Sequence, residues 1–377
     1  MNISIIGPAY PFRGGIASYN ERLAQEFQSL GHEVSIETFT TQYPNFLFPG
    51  KTQFSESPAP SNLKIRRSFS SVNPFSWLKL GWRLKKNAPD LVILRYWLPF
   101  MGPSLGTIAR IAKSNRKTKI YTIVDNIIPH EKRIGDKALS RYFVGCNDGF
   151  IAMSKSVLNE LESFDASLPR ILQPHPLFDN FGRPVTKEEA CKVLNIDKEC
   201  NYLLFFGFVR KYKGLDILLN AMDTDWLEEF NIKLIVAGEY YDNSETYDAI
   251  IQEKNLQSYI IPANNFIRDD EVKYYFSASD LVVQPYRTAT QSGVTQIAYQ
   301  FGKPMIVTKV GGLPELVKDG KAGVLTEVDA NSVKEAIVSI YSEKGKLKEM
   351  ETFVEKEKLR FSWSTMCNRI LNLTKEP

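Results

Sequence analysis

The sequence predicts an α/β protein of two doubly wound domains, each with a parallel sheet covered by helices on both faces. Three observations predict this fold. The chain has 377 residues, a length that suits two domains. Short apolar runs alternate with helical patterns along the chain. These runs are continuous rather than alternating, as expected for strands that are buried on both sides.

The first series of elements begins at the N-terminus. MNISIIG is a short apolar run that ends in glycine, and ASYNERLAQEFQSLGHEVSIET holds a helix, a stop at Gly31 and a strand. The later strands of this series are DLVILRY, KIYTIVDN and GFIAMS. Together these patterns predict an N-terminal domain over residues 1–178.

The pattern then starts again. A segment rich in proline and aromatic residues, LPRILQPHPLFDNFGRP, places the domain junction near residues 172–185. The strands that follow it are YLLFFGF, IKLIVAG, DLVVQPY and PMIVTKV. They predict a second domain over residues 179–355.

The composition excludes several classes of protein. The chain is 43% hydrophobic and 24% charged, and it has no run of about 18 apolar residues that could span a membrane. Its start lacks the features of a signal peptide, and its four cysteines are scattered, which predicts a reduced cytoplasmic protein. Residues 1–180 contain 22 Lys and Arg against 14 Asp and Glu, so we expect an anionic partner.

Candidate site residues lie in the loops that follow the strands, because doubly wound domains bind ligands at the carboxyl ends of their strands. In GPAYPFRGGIASYNERLA, Gly14 and Gly15 stand at a helix start, where backbone N–H groups can approach an anion. This loop lacks G-x-G-x-x-G, and no acidic residue ends the next strand, as a dinucleotide site would require. An ordinary flexible loop would show the same pattern.

The loop GFVRKYKGLDILLNAM is more strongly charged. Arg210, Lys211 and Lys213 are crowded between Gly207 and Gly214, at the passage from a strand to a helix. Such a concentration of cations suits a diphosphate, which arginine can hold with two hydrogen bonds and lysine as a point charge. The alternative is a solvated basic turn.

A third loop follows DLVVQPY and precedes an apolar helix. Thr290, Gln291, Ser292 and Gly293 form a polar turn there, and Gln296 lies one helical turn further on. Backbone donors at such a turn can cradle an anion. An ordinary helix cap by Ser292 or Thr290 fits the same turn.

Taken in order, these segments resemble the retaining glycosyltransferases of family 4, which have the GT-B fold of two Rossmann-like domains facing a cleft. The segments that carry the resemblance are GGIASYNERLAQEFQSLGHEV, FFGFVRKYKGLDILL, ASDLVVQPY, GKPMIVTKVGGLPELVKDGKAGVL and a late FSW. YPNFLFPGKTQ, which contains Lys51, resembles a segment found in a subset of bacterial members. The resemblance also implies a C-terminal helix over residues 356–377 that returns to the N-domain.

The resemblance implies transfer of a sugar from a UDP- or GDP-sugar, without a cofactor, to a glycan or lipid-linked acceptor in cell-surface polysaccharide synthesis. Similar enzymes place a histidine after an N-terminal strand, beside the donor sugar. In IVDNIIPHE the match falls on His130, with Asn126 and Glu131 orienting it. Lys51 is then an acceptor-side candidate, and a purely structural role for His130 stays open.

The donor-side residues only partly follow the family pattern. Members carry two glutamates, eight positions apart, that contact the sugar and the ribose, whereas ATQSGVTQIAYQFGKP has none. Gln291 and Gln296 stand in that neighbourhood and bring hydrogen bonds but no charge. Lys213 matches the family's lysine, while Phe208 takes the place of an arginine whose role falls to Arg210.

Further nucleotide contacts are expected from Glu239, after IVAG, and from Phe266 and Ile267, after the strand-like YIIPANN. The chemistry that the resemblance implies is a front-side displacement, in which the diphosphate accepts the acceptor's proton. Arg210 and Lys213 then oppose the developing charge. No H-x-x-H or D-x-D motif stands where metal ligands would be expected, so we predict metal independence.

One segment suggests where the acceptor is found. NLKIRRSFSSVNPFSWLKLGWRLKKNAPD mixes aromatic residues with cations, and helical spacing brings Phe75, Leu78 and Trp82 together. This mixture suits a helix that lies in a membrane interface. We therefore expect a cytoplasmic enzyme, peripheral on the inner face of the plasma membrane. Alternatively, the aromatic side chains pack into the N-domain core.

Other functions fit the sequence less well. A dehydrogenase needs a dinucleotide motif that the chain lacks, and no nucleic-acid recognition motif explains the basic half. A nucleotide-sugar 2-epimerase has the same architecture and remains an alternative. So does a degenerate relative that binds a sugar nucleotide without transferring the sugar, because the glutamate pair is missing.

Overall fold

The computed structural model describes residues 1–44, 53–55, 58–129, 133–240, 244–289 and 292–375. The chain divides into two compact units. One comprises Met1–Pro174 and Trp363–Pro377, and the other His175–Ser362. The chain therefore passes between units after Pro174 and again after Ser362, where the sequence had suggested borders after residues 178 and 355.

The first unit contains a seven-stranded parallel sheet with the strand order β3-β2-β1-β4-β5-β6-β7. Its strands are β1 (Asn2–Ile6), β2 (Glu33–Thr41), β3 (Lys64–Ser70), β4 (Leu91–Tyr96), β5 (Lys119–Val124), β6 (Gly149–Ala152) and β7 (Arg170–Leu172). The helices between them are α1 (Gly15–Ser29), α2 (Pro74–Asn87), α3 (Gly102–Lys113), α4 (Asp136–Val144) and α5 (Lys155–Glu162).

The second unit contains a six-stranded parallel sheet with the order β10-β9-β8-β11-β12-β13. Its strands are β8 (Asn201–Phe206), β9 (Ile232–Ala237), β10 (Ile260–Ala263), β11 (Leu281–Gln284), β12 (Met305–Thr308) and β13 (Gly323–Thr326). Its helices are α6 (Lys187–Leu194), α7 (Leu215–Ala221), α8 (Thr224–Glu229), α9 (Glu245–Glu253), α10 (Val272–Ala278), α11 (Gly293–Gln300), α12 (Leu313–Leu316), α13 (Ala330–Ser342) and α14 (Lys346–Glu357).

Both sheets are buried on both faces. In β4, Leu91 and Ile93 belong to one hydrophobic cluster, whereas Val92 and Leu94 belong to the cluster on the opposite face. The strand β8 divides its residues between two clusters in the same way. This burial explains why the strands read as continuous apolar runs, and it confirms the predicted class of two Rossmann-like parallel-sheet domains.

The last helix, α15 (Trp363–Leu373), belongs to the first unit. Its buried residues join the cluster formed by one face of the first sheet and α1. The rings of Trp363 and Tyr19 lie 4.9 Å apart, and the Tyr121 hydroxyl donates a 3.0 Å hydrogen bond to the Leu373 carbonyl oxygen. The predicted return of the C-terminal helix to the N-domain is thereby confirmed.

Across the described ranges, no helix combines the length and the apolar character that crossing a membrane requires.

Candidate functional site

The basic turn after β8 is shaped by two glycines. Gly207 leaves the strand with φ of 90°, and a Cβ placed there would lie 2.6 Å from Nζ of Lys213. Gly214 has φ of 70°, and its Cβ would lie 2.0 Å from the carbonyl oxygen of Pro285. Glycine at both positions therefore lets the turn fold against the exit of β11 and leaves room for the lysine ammonium.

Lys213 is the most unusual residue of this turn. Its side chain is only 8% exposed, and its Nζ donates a 3.3 Å hydrogen bond to the Phe206 carbonyl oxygen. The ammonium lies 5.6 Å from the centre of the Tyr286 ring. Burial, and then the charge of Arg210, lower the pKa of Lys213 to about 8. In the described part of the chain no carboxylate forms an ion pair with it, so an anionic ligand would supply the missing counter-charge.

The turn is held in place from the side of β11. The guanidinium of Arg287 donates two hydrogen bonds, of 2.9 and 2.7 Å, to the carboxylate of Asp216 at the start of α7. The backbone N–H of Arg287 also donates to the Tyr212 carbonyl oxygen at 2.7 Å. Arg210 opens the short 3-10 helix that ends at Lys213, and its own side chain is exposed. Arg210 and Lys213 therefore lie on a turn that the hydrogen bonds of Arg287 hold in place.

The N-terminus of α11 forms the neighbouring part of the site. The Ser292 and Thr295 hydroxyls both donate to Oε1 of Gln284, at 2.7 and 3.0 Å. Gln284 and Gln296 are each 1% exposed. Among the described residues, Nε2 of Gln284 and both amide atoms of Gln296 have no hydrogen-bond partner. Since buried polar groups are normally satisfied, these amides indicate a place for water or a polar ligand.

An aromatic pair lies beside the start of α11. A Cβ at Gly293 would lie 3.3 Å from the Phe178 ring, so this glycine lets the ring approach the helix. The His175 ring stacks on Phe178 with 4.7 Å between ring centres and 22° between planes. Both rings belong to the same unit as Gly293. His175 lies in the segment LPRILQPHPLFDNFGRP, where the sequence predicts the domain junction.

In the first unit, the predicted glycines lie where β1 leads into α1. Gly14 is the capping residue of α1 with φ of 111°, and Gly15 is the first residue of the helix. Chain neighbours aside, no atom of the described residues lies within 4 Å of the position that a Cβ would take at either residue. The glycines therefore stand at a helix start with open space beside their α-carbons, which is the position at which an anion site is expected.

A buried ion pair lies at the carboxyl ends of β4 and β5 in the same unit. Arg95, which is 2% exposed, donates two hydrogen bonds of 2.7 and 2.5 Å to the Asp125 carboxylate. Its guanidinium lies 4.0 Å from the centre of the Tyr19 ring. Asn126, the predicted orienting residue, directly follows Asp125 and is half-buried. The pair therefore holds the backbone from which Asn126 extends.

The comparisons with known proteins agree with this geometry. Residues 13–171 match the family model described as Glycosyltransferase Family 4, and residues 200–343 match Glycosyl transferases group 1. The solved structure of Anabaena HepE in complex with UDP superposes with a TM-score of 0.70 at 16% identity, covering 100% of both chains. The chain is a GT-B glycosyltransferase.

Curated relatives of the enzyme carry the same activity class in their names. An uncharacterized glycosyltransferase of Methanocaldococcus jannaschii is 24% identical over 363 residues, which are 94% of this chain and 92% of the relative. The lipopolysaccharide 1,2-N-acetylglucosaminetransferase of Salmonella typhimurium is 26% identical over 186 residues, 47% of this chain and 48% of the relative.

The structure of the enzyme brings together only some of the predicted donor-side residues. Gly207, Lys213, Ser292 and Gly293 share one end of the second sheet, between β8 and β11. Glu239 follows β9 and is exposed, and its carbonyl oxygen accepts a 2.9 Å hydrogen bond from the N–H of Val209.

The two expected base-flanking residues differ in exposure. Phe266 is 62% exposed, whereas Ile267 packs against the hydrophobic core of the unit. Four predicted site residues of the enzyme lie outside the described residues, namely Lys51, His130, Glu131 and Gln291.

Gln284, Tyr286 and the Arg95–Asp125 pair were missed by the sequence reasoning. Gln284 lies in DLVVQPY and Arg95 in DLVILRY, both of which were read only as strands. A polar residue late in an otherwise apolar buried strand is itself a signal, because burying it requires a partner. That signal could have identified both positions.

Proposed function

We propose that the enzyme transfers a glycosyl group, with retention of anomeric configuration, from a nucleoside-diphosphate sugar to a glycan or lipid-linked saccharide. UDP and GDP are the favoured carriers, and the reaction uses no cofactor or metal ion. The product serves cell-surface polysaccharide synthesis, and the enzyme works in the cytoplasm, peripherally on the inner face of the plasma membrane.

The observation that carries the proposal is the buried ammonium of Lys213. It lies between the Phe206 carbonyl oxygen and the Tyr286 ring, with Arg210 on the same turn. Burying an unpaired cation is costly, so a protein keeps one where a ligand supplies the opposite charge. A diphosphate carries that charge in a compact form and also suits the N–H groups at the start of α11.

The comparisons support the donor class and, more weakly, the acceptor class. HepE has been solved with UDP and with UDP-glucose, and the present chain shares its fold. The Salmonella relative is named a lipopolysaccharide 1,2-N-acetylglucosaminetransferase. A nucleotide-sugar donor and a surface-glycan acceptor are the choices for this enzyme that agree with both.

The proposed reaction needs charge stabilisation more than acid–base groups. The acceptor oxygen bonds to the anomeric carbon on the face from which the diphosphate leaves. The bond between that carbon and the phosphate oxygen breaks, and the departing oxygen accepts the acceptor's hydroxyl proton. Negative charge builds on the diphosphate, and Lys213, Arg210 and the dipole of α11 oppose it.

Isothermal titration tests the donor site. Wild-type protein is titrated with UDP, GDP, dTDP and NAD, with chelator present throughout. We expect one nucleoside diphosphate to bind, and its affinity to fall about a hundredfold in Lys213→Met because a charge-assisted contact of about 3 kcal/mol is lost. Arg210→Ala is expected to weaken binding less, because its exposed side chain is screened by solvent.

Lys348→Ala serves as the control, because Lys348 has an 82% exposed side chain on α14. Binding of NAD alone would overturn the proposal in favour of a dehydrogenase. Binding of a nucleoside diphosphate without release of product from any nucleotide sugar and acceptor would identify a non-catalytic relative.

A further inference from the structure

Among the described residues, several large and exposed apolar side chains lie together on α2. Phe75, Leu78 and Trp82 are 82%, 43% and 60% exposed, and Val72, just before the helix, is 49% exposed. Successive members of this set are three and four residues apart, so they form a single stripe. Lys79 and Lys86 are exposed on the same stripe. We name these five helical residues, Phe75, Leu78, Lys79, Trp82 and Lys86, the outer face of α2.

Packing on the opposite side fixes this orientation. Leu80 and Leu84 are buried in the core of the first unit. Gly81 approaches α3 so closely that a Cβ there would lie 2.8 Å from Cβ of Ile111. The indole N–H of Trp77 donates a 2.5 Å hydrogen bond to the Ser70 carbonyl oxygen. The helix cannot roll to bury Phe75 or Trp82 without breaking these contacts, so the outer face is a standing feature of the unit.

The segment that contains α2 is strongly cationic. Residues 57–89 contain no Asp or Glu, but they contain seven cations: Lys64, Arg66, Arg67, Lys79, Arg83, Lys85 and Lys86. Nζ of Lys85 lies 4.6 Å from the centre of the Trp82 ring. Arg83 is paired with Glu37 at the inner side of the helix. Lys79, Lys85 and Lys86 therefore bring positive charge to the same helix as Phe75 and Trp82.

We infer that the outer face of α2 binds an anionic lipid surface, with Phe75 and Trp82 inserted among the acyl chains and the lysines on the headgroups. This inference rests on the proposed peripheral location and names the surface responsible for it. The helix has 14 residues, so it is about 21 Å long and lies in the plane of the interface. The aromatic side chains suit the acyl region of a membrane, and the lysines beside them suit its anionic headgroups.

A second copy of the chain fits this face less well. A symmetric contact through α2 would bring two segments of seven cations and no acidic residue against each other. Like charges at such close range repel, and no carboxylate of the segment is available to compensate. Charge complementarity therefore favours lipid over self-association.

Co-sedimentation with vesicles tests the inference. We expect wild-type protein to pellet at low salt with phosphatidylcholine vesicles that contain phosphatidylglycerol, and not with phosphatidylcholine alone. The variants F75S/W82S and K79Q/K86Q should each reduce partitioning into the anionic vesicles by about tenfold or more. L359S is the matched control, because Leu359 is a 67% exposed apolar residue of the second unit.

Tryptophan fluorescence identifies the part of the protein that inserts. Trp82 is the exposed one of the five tryptophans, the others being Trp77, Trp97, Trp226 and Trp363. Anionic vesicles should therefore shift wild-type emission to shorter wavelength. In W82F the shift should disappear while co-sedimentation persists, because phenylalanine keeps the aromatic anchor.

Three results would overturn the inference: no pelleting of wild type with anionic vesicles, unchanged pelleting of both double variants, or a wild-type dimer that F75S/W82S converts to monomer. Nucleotide titration of the same variants separates this inference from the proposed reaction. The substituted residues are exposed on α2 and belong neither to the basic turn nor to the start of α11, so donor affinity should be unchanged whatever the vesicles show.

Discussion

At the scale of single residues, the burial of Lys213 has the clearest testable consequences. Its pKa is lowered from 10.5 to about 8, first because it is buried and then because Arg210 is near. Between about pH 8 and pH 10.5, Lys213 is protonated in the unfolded chain but has lost its proton in the folded chain. The stability of the folded protein therefore rises with pH across this window, and below about pH 8 the folded state carries the full cost of the buried charge.

Replacing Lys213 by methionine should therefore stabilise the empty protein at pH 7, by about 1–3 kcal/mol, because the buried charge is removed and an apolar chain of similar length remains. Urea unfolding at pH 7 and pH 10 measures this, and the difference between variant and wild type should shrink at pH 10. Lys356→Met, at an exposed position of α14, is the control. A destabilised Lys213→Met variant would indicate that the lysine is structural.

The residue scale also shows what a single sequence hides. Lys213 could be predicted because three cations stand together between a strand and a helix. The pairing of Arg95 could not be predicted, because its partner Asp125 is 30 residues away and the two meet only when β4 and β5 pair. The partners of Gln284 could not be predicted either, since Ser292 and Thr295 reach it from the following helix. Predicting which side chains from different elements pair requires the strand order of the sheet, and the sequence does not show that order.

At the scale of elements, the strands that are buried on both faces were predictable, whereas the edge strand β3 was not. The strands β1, β4, β5, β8 and β9 read as apolar runs because helices cover both of their faces. In contrast, β3 reads KIRRSFS, lies at the edge of its sheet and pairs with β2 through two shifts in register. Its exposed cations concealed the strand, and the segment was interpreted only for its charge and aromatic residues.

The helix α15 yields a prediction at this scale. Met366 is 0% exposed within the cluster that joins α15 to α1 and the first sheet. Met366→Ala should lower the free energy of unfolding by about 2–5 kcal/mol, since it leaves a cavity in that core. Asn372→Ala, at an exposed position of the same helix, should change it by less than about 0.5 kcal/mol. Equal effects of the two substitutions in urea unfolding would show that α15 is not packed in solution.

At the scale of the whole molecule, the two units share one structural feature. Each places a glycine-containing turn and the start of a helix at the carboxyl end of a parallel sheet, after β1 in the first unit and after β8 in the second. Alternation of strands and helices sufficed to predict both sheets, because each unit buries its own core. The return of the chain to the first unit at Trp363 was predicted only by the family resemblance, because no local sequence pattern indicates it.

The proposed charge balance of the reaction gives the last prediction. A leaving diphosphate needs positive charge near it, which a divalent cation or protein groups can supply. Lys213, Arg210 and the start of α11 supply it in the proposal, so initial rates of transfer should be the same with and without excess EDTA. A manganese-dependent glycosyltransferase in the same assay shows that the chelator is effective. An EDTA-sensitive rate that manganese restores would contradict the proposal, whereas an EDTA-insensitive rate that Lys213→Met abolishes would locate the compensating charge on this lysine.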